Sequence, residues 1–167
     1  MNATQLLMDE HQFILKYLDL MERYSKEDEL LLNNVQHFSA FIHEFADKLH
    51  HAKEEDSLFK YLAQPNVLTH CNPIPQMLYE HTMARELVKT METTPDINAL
   101  KTAVQQYINL LRQHIFKEDN ILYPMAEQGL SDNAKQALLN EYQDTNLKLN
   151  STAIWQDYQN LYDELNK

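Results

Sequence analysis

The chain has 167 residues, 44% of them hydrophobic and 23% charged, which sets the expectation of one globular domain with a real core. A formal charge of −11, from 25 acidic and 14 basic residues, repels phosphate backbones and anionic lipid, so neither a nucleic-acid nor a membrane partner is expected. The lone Cys71 excludes an internal disulfide, Met1 to Gln5 carry no secretory pattern, and no apolar run approaches the roughly 20 residues of a membrane span; these features predict a cytoplasmic protein.

A single glycine, against an average usage of about 7%, fits helices, which penalise glycine, better than sheets, which use it in turns and bulges. In chain order, Thr4 can cap a first helix running to about Tyr24. Ser25, followed by Lys26-Glu27-Asp28, can cap a long second helix that ends before Pro65. Pro65 to Pro75 reads as a crossover loop, and a third helix runs from about Pro75 to Thr93. Asp96 can cap a fourth helix that reaches about Tyr123, where Pro124 halts or kinks it. Gly129 is placed for a C-cap, and Ser131 can start a fifth helix. In the tail, Tyr158, Leu161, Tyr162 and Leu165 form an amphipathic stripe suited to docking on the bundle or to a dimer seam. The expected architecture is all-α: residues 1–129 as an antiparallel up-down four-helix bundle, and 130–167 as a C-terminal helical extension packed on it or at a homodimer interface.

On the fourth helix, Leu100, Val104, Tyr107, Leu111, His114, Glu118 and Ile121 follow steps of three and four and share one face. A histidine and a carboxylate one turn apart thus lie on an apolar stripe, and a buried carboxylate is costly unless a charge or a metal compensates it. The string recurs. Residues 50–59, HHAKEEDSLF, align without gaps on residues 114–123, HIFKEDNILY, sharing H-x-x-K-E-[ED]-x-x-L-[FY]. An earlier pair, Glu10-His11, is matched by Glu80-His81. Each hairpin therefore carries EH and then HxxKE. Two hairpins packed face to face would gather four histidines and two glutamates, the side chains with which a bundle binds two metals. A lone histidine on an apolar face is more often a hydrogen-bonded core residue than a ligand; the doubled pattern favours metal.

Lys53 and Lys117 read as surface charges near the acidic pairs, and the Leu-Phe/Tyr ends of the repeats as packing. Tyr107 is a packing residue or a hydrogen-bond donor to a bound oxygen species. His43 is core, surface or a gating group, His37 and His70 are surface, and Cys71 has no base partner. The stripe Phe38, Phe41, Ile42, Phe45 and Leu49 points away from both His50 and His51, whereas a π-bulge near residues 49 to 51 would let both rings reach inward.

With those residues in view, the chain resembles the hemerythrin-like family in its HHE cation-binding branch, over roughly Leu7 to Ala126. HHAKEEDSLF and HIFKEDNILYPMA are close to that branch's usual wording. The resemblance implies a four-helix bundle around a non-haem centre of two iron ions, with bridging carboxylates and an oxo or hydroxo bridge. It implies His11, His50 and Glu54 for one half, and His81, His114 and Glu118 for the other, with His51 as a further candidate. Manganese or zinc also suit such ligands. Two departures from the oxygen-carrying members stand out. Arg85 occupies the place of a second histidine on the third helix, and both the Glu118 and the Asp119 registers are present, of which the repeat selects Glu118. The implied function is binding or sensing of oxygen, hydrogen peroxide, nitric oxide or iron. The alternatives are a di-iron enzyme that consumes peroxide or nitric oxide or aids iron-centre repair, and an interaction module stapled by its metal.

Overall fold

The computed structural model describes residues 2–167, and among these there is no strand. Six helices account for the fold: α1 (Ala3–Tyr24), α2 (28–62), α3 (Ile74–Thr93), α4 (97–129), α5 (Asp132–Leu149) and α6 (Ser151–Leu165). The first four form an up-down bundle in which α1 packs on α2 and α4, and α3 on α2 and α4. No helix among the described residues is long and apolar enough to cross a membrane.

Caps set several boundaries. Asp96 Oδ2 accepts from Ala99 N–H at 2.7 Å and starts α4, and Ser131 Oγ accepts from Ala134 N–H at 3.2 Å and starts α5. Two expected caps are displaced. Asn2 caps α1 through Gln5 N–H at 2.7 Å, and Thr4, already inside the helix, donates to Glu127 at 2.6 Å instead. Ser25 closes α1, its hydroxyl donating to Glu22 C=O at 2.7 Å, and α2 begins only at Asp28. In both cases a nearby partner claimed the side chain first.

The two long helices α2 and α4 are widened. In α2 the segments Ile42–His51 and Glu54–Leu58 are π-helical, and in α4 so is Glu118–Leu122. Ala52 N–H bonds Asp47 C=O, Phe59 N–H bonds Glu54 C=O, and Tyr123 N–H bonds Glu118 C=O, each five residues back. The extra residue per turn rotates the remainder of each helix about its axis. Ile121, expected on the inward stripe, is therefore exposed, and Leu122 and Tyr123 are buried in its place. Pro124 does not end α4. It falls in the first turn of the segment after the widened one, where a missing N–H costs least, and the helix continues to Gly129.

Gly129 serves a close approach: a Cβ there would collide with Val67 C=O of the crossover loop. The tail helices lie on the bundle. Trp155 stacks on Phe13 at 5.0 Å, Tyr158 meets Phe41 edge-on at 5.4 Å, and Tyr17 donates to Tyr158 C=O at 2.7 Å. Leu161, Tyr162 and Leu165 of the expected stripe pack on the same apolar cluster. That cluster, built on Phe13, Tyr17, Phe41 and Leu111, is one of two. The second, built on Leu7, Phe59, Leu62, Tyr123 and Ala126, takes Leu138 and Tyr142 from α5. Along each of the four bundle helices a buried polar layer lies between them.

Candidate metal centre

The polar layer holds every residue singled out as a site candidate. His11 comes from α1, His50, His51 and Glu54 from α2, His81 from α3, and His114 and Glu118 from α4; all seven are buried. Within it two groups each offer ligand atoms lying within 4.8 Å of one another: His11, His50, Glu54 and Glu118, and His51, Glu54, His81 and His114. Glu54 belongs to both groups. The halves thus differ from the expected division, since Glu118 joins the His11 group and His51 joins His81 and His114. The widened turn of Ile42–His51 brings neighbouring His50 and His51 into one interior, with ring centroids 5.6 Å apart. On an ideal helix neighbours point about 100° apart, which the extra residue relieves.

Inward-facing atoms converge on each other. His11 Nε2 lies 3.2 Å from Glu118 Oε2, His114 Nε2 3.0 Å from Glu118 Oε1, His81 Nε2 3.4 Å from Glu54 Oε2, and His50 Nε2 3.7 Å from Glu54 Oε2. Yet His50 Nε2, Glu54 Oε2 and both oxygens of Glu118 make no hydrogen bond. Close approach without hydrogen-bond direction is what atoms aimed at a common point produce. Buried polar atoms are seldom left so, and the set therefore fits cations held between them.

The outer ring nitrogens explain why the imidazoles point inward. Nδ1 of each of the five faces a carboxylate: His11 with Asp119 at 2.7 Å, His50 with Glu10 at 2.8 Å, His114 with Glu80 at 3.0 Å, His51 with Asp47 at 3.3 Å, and His81 with Glu55 at 3.6 Å. A proton on Nδ1 shared with a carboxylate fixes the ring and leaves the Nε2 lone pair free for a metal. Of the two registers, Glu118 faces the interior, and Asp119 stands behind His11.

The glutamates of the two EH pairs acquire a role that the sequence did not reveal. Glu10 also accepts from Lys53, and Glu80 from Lys117 and, at 2.6 Å, from Gln76. Each hairpin thus repeats one unit, the Glu of EH holding the His and the Lys of HxxKE. Lys53, expected on the surface, is fully buried, because it neutralises Glu10 inside the layer; Lys117 remains partly exposed. On the remaining edge Arg85 binds Asp47 at 2.7 Å and Glu55 at 2.5 Å, the carboxylates behind His51 and His81. Arg85 draws both toward itself, and their contacts to the rings are the longest of the five.

Electrostatics agree. Burial disfavours a charged His11, but the hydrogen bond to Asp119 and the nearby Glu118 and Glu54 carboxylates outweigh it and lift the ring to about 9. The same contest raises His81 to about 9 through Glu54 and Glu55, and His114 to about 10 through Glu118 and Glu80. Burial, with the neighbouring positive rings, holds His50 down to about 3 and keeps His51 well below its ordinary value. Protons on these raised rings offset the buried carboxylates, and a cation would displace them.

Residues outside the layer fall elsewhere. His43 is exposed and pairs with Glu92 at 2.6 Å, and His70 and Cys71 are exposed. Tyr107 is buried beside His51, lining with Ala84, Arg85 and Val88 a narrow cleft between α2, α3 and α4. Tyr123, expected to pack, does so in the second apolar cluster, but its hydroxyl also donates to Glu54 Oε1 at 2.6 Å and lies 3.4 Å from His11 Nε2.

No curated protein and no solved structure matches the chain. A family model, described as the hemerythrin HHE cation binding domain, matches residues 2–126, which takes in all seven residues of the polar layer and well over half of the sequence. The chain belongs to the hemerythrin HHE cation binding domain family.

Proposed function

We propose that the protein holds two iron ions, which His11, His50, His51, His81, His114, Glu54 and Glu118 would hold, and that it binds or senses a small oxidant: oxygen, hydrogen peroxide or nitric oxide. The observation that carries the reading is the set of buried Glu54 and Glu118 oxygens without hydrogen-bond partners, facing imidazoles whose outer nitrogens are already committed to carboxylates. A pair of redox-active ions would supply the electrons and the Lewis acidity for taking up such a molecule.

The chain's own residues supply the rest. Carboxylates hydrogen-bonded to Nδ1 of His11, His50, His51 and His114 hold those imidazoles in the tautomer that presents Nε2. The two apolar clusters on either side keep bulk water from the layer. The two groups differ in their donors: two imidazoles and two carboxylates around His11 and His50, and three imidazoles and one carboxylate around His51, His81 and His114.

Metal content of protein purified from its native host tests the reading. About two irons per chain are expected, and a stable, reversible absorption change when the ferrous protein meets oxygen would mark binding. Sustained turnover would mark an enzyme instead. Metal-free protein from that host, or zinc alone, would defeat the di-iron proposal.

A further inference from the structure

The two carboxylates at the centre are not equivalent, and the cause is a single oxygen atom in the repeat. Phe59 and Tyr123 occupy the same place in the two copies of H-x-x-K-E-[ED]-x-x-L-[FY]. They are placed alike in space as well: Phe59 stacks on His81 at 6.0 Å and 22°, and Tyr123 stacks on His11 at 5.5 Å and 10°. Only Tyr123 carries a hydroxyl, and it donates to Glu54 Oε1 at 2.6 Å.

The effect shows in the oxygens. Glu118 keeps both free of hydrogen bonds and turns them to opposite halves, Oε1 toward His114 and Oε2 toward His11. Glu54 keeps only Oε2 free, and that one oxygen faces both halves, 3.4 Å from His81 Nε2 and 3.7 Å from His50 Nε2. We propose that Tyr123 is a positioning residue: by claiming Glu54 Oε1 it leaves that carboxylate one oxygen for cations where Glu118 offers two. The inference rests on the two-metal reading, and it predicts that removing the phenol strengthens the protein's hold on metal, since the freed Oε1 becomes a further donor.

The test compares Tyr123→Phe, which restores the residue found in the other copy, with Phe59→Tyr, which offers a phenol to the other half. Both are loaded with iron beside the parent chain, and metal content, iron release to an excess of chelator and azide affinity are read. For Tyr123→Phe, unchanged metal content is expected, with iron release slowed and azide binding weakened, each roughly tenfold, because the freed oxygen competes with azide. Phe59→Tyr should shift both in the opposite sense. A phenol with only a packing role would give the reverse sign in Tyr123→Phe, since a loosened core releases metal faster. Faster release, equal azide affinity, or loss of iron with helix content intact in Tyr123→Phe overturns the proposal. A parent chain that takes up no iron overturns instead the two-metal reading on which it rests.

Discussion

The two hairpins, α1–α2 and α3–α4, share one ten-residue pattern and an EH pair, yet they build unequal halves. Both supply a Glu that holds a His and a Lys: Glu10 with His50 and Lys53, Glu80 with His114 and Lys117. Three of their differences fall on the polar layer. His51 stands where the second copy has Ile115, Phe59 where it has Tyr123, and Arg85 comes four residues after His81 where Leu15 comes four after His11. The repeat builds a symmetrical scaffold of carboxylates and cations, and the departures from it tell one half of the site from the other.

The largest expected effect tests the inward register. Glu118→Ala should remove most bound metal, whereas Asp119→Ala, which takes away only the carboxylate behind His11, should keep the metal and weaken affinity by about 10- to 100-fold. Metal analysis after dialysis reads both, and a greater loss with Asp119→Ala would return the site to the other register. Next comes the extra imidazole. His51→Ile, which makes the first copy like the second, should lower metal content toward one ion per chain.

Buried Lys53 and partly exposed Lys117 should separate in stability. Lys53→Met strands Glu10 in the interior and should cost about 3–5 kcal/mol in metal-free protein. Lys117→Met should cost about 1 kcal/mol or less, since solvent screens that pair. Urea denaturation measures both, and equal losses would mean that burial does not distinguish the two units.

A pH effect is expected from His11, His81 and His114. Their folded values, about 9, 9 and 10, lie above the ordinary 6.5. The stabilisation of the metal-free fold from these charged rings is thus fully present below about pH 6.5 and is lost as pH rises through 9 to 10. Metal uptake near pH 7.5 must displace those protons, so affinity should tighten with pH over the same window. Calorimetry in buffers of different ionisation enthalpy would detect the released protons, and uptake without proton release contradicts the assignment. The smallest effect is expected from Ile115→His. It should add no metal, because that residue lies in the regular part of α4, before the widened turn at Glu118–Leu122.

Much of this is legible in the sequence, and the reasons differ by residue. Helix order comes from prolines and from Asp96 and Ser131, because caps and breakers act locally. The gathering of His11, His50, His81, His114, Glu54 and Glu118 comes from the repeat, since similar strings on paired hairpins meet in similar places. Burial of Lys53 is not legible, because its partner Glu10 lies 43 residues away and nothing local marks a lysine as paired. The parts of Glu10 and Glu80 in holding His50 and His114 stay hidden for the same reason. Thr4 and Ser25 fail as caps because Glu127 and Glu22 C=O take their hydroxyls. Ile121 leaves the inward stripe because an ideal helical period does not include the widened turn around it.

The chain's one glycine bears on the metal layer from a distance. Val67 of the crossover loop passes so near Gly129 that no side chain can stand between them, and this loop joins the first hairpin to the second. Whatever thickens that crossing would lever the hairpins apart at their seam and draw Glu54 away from Glu118. A side chain added there would thus be felt in a polar layer that it does not touch.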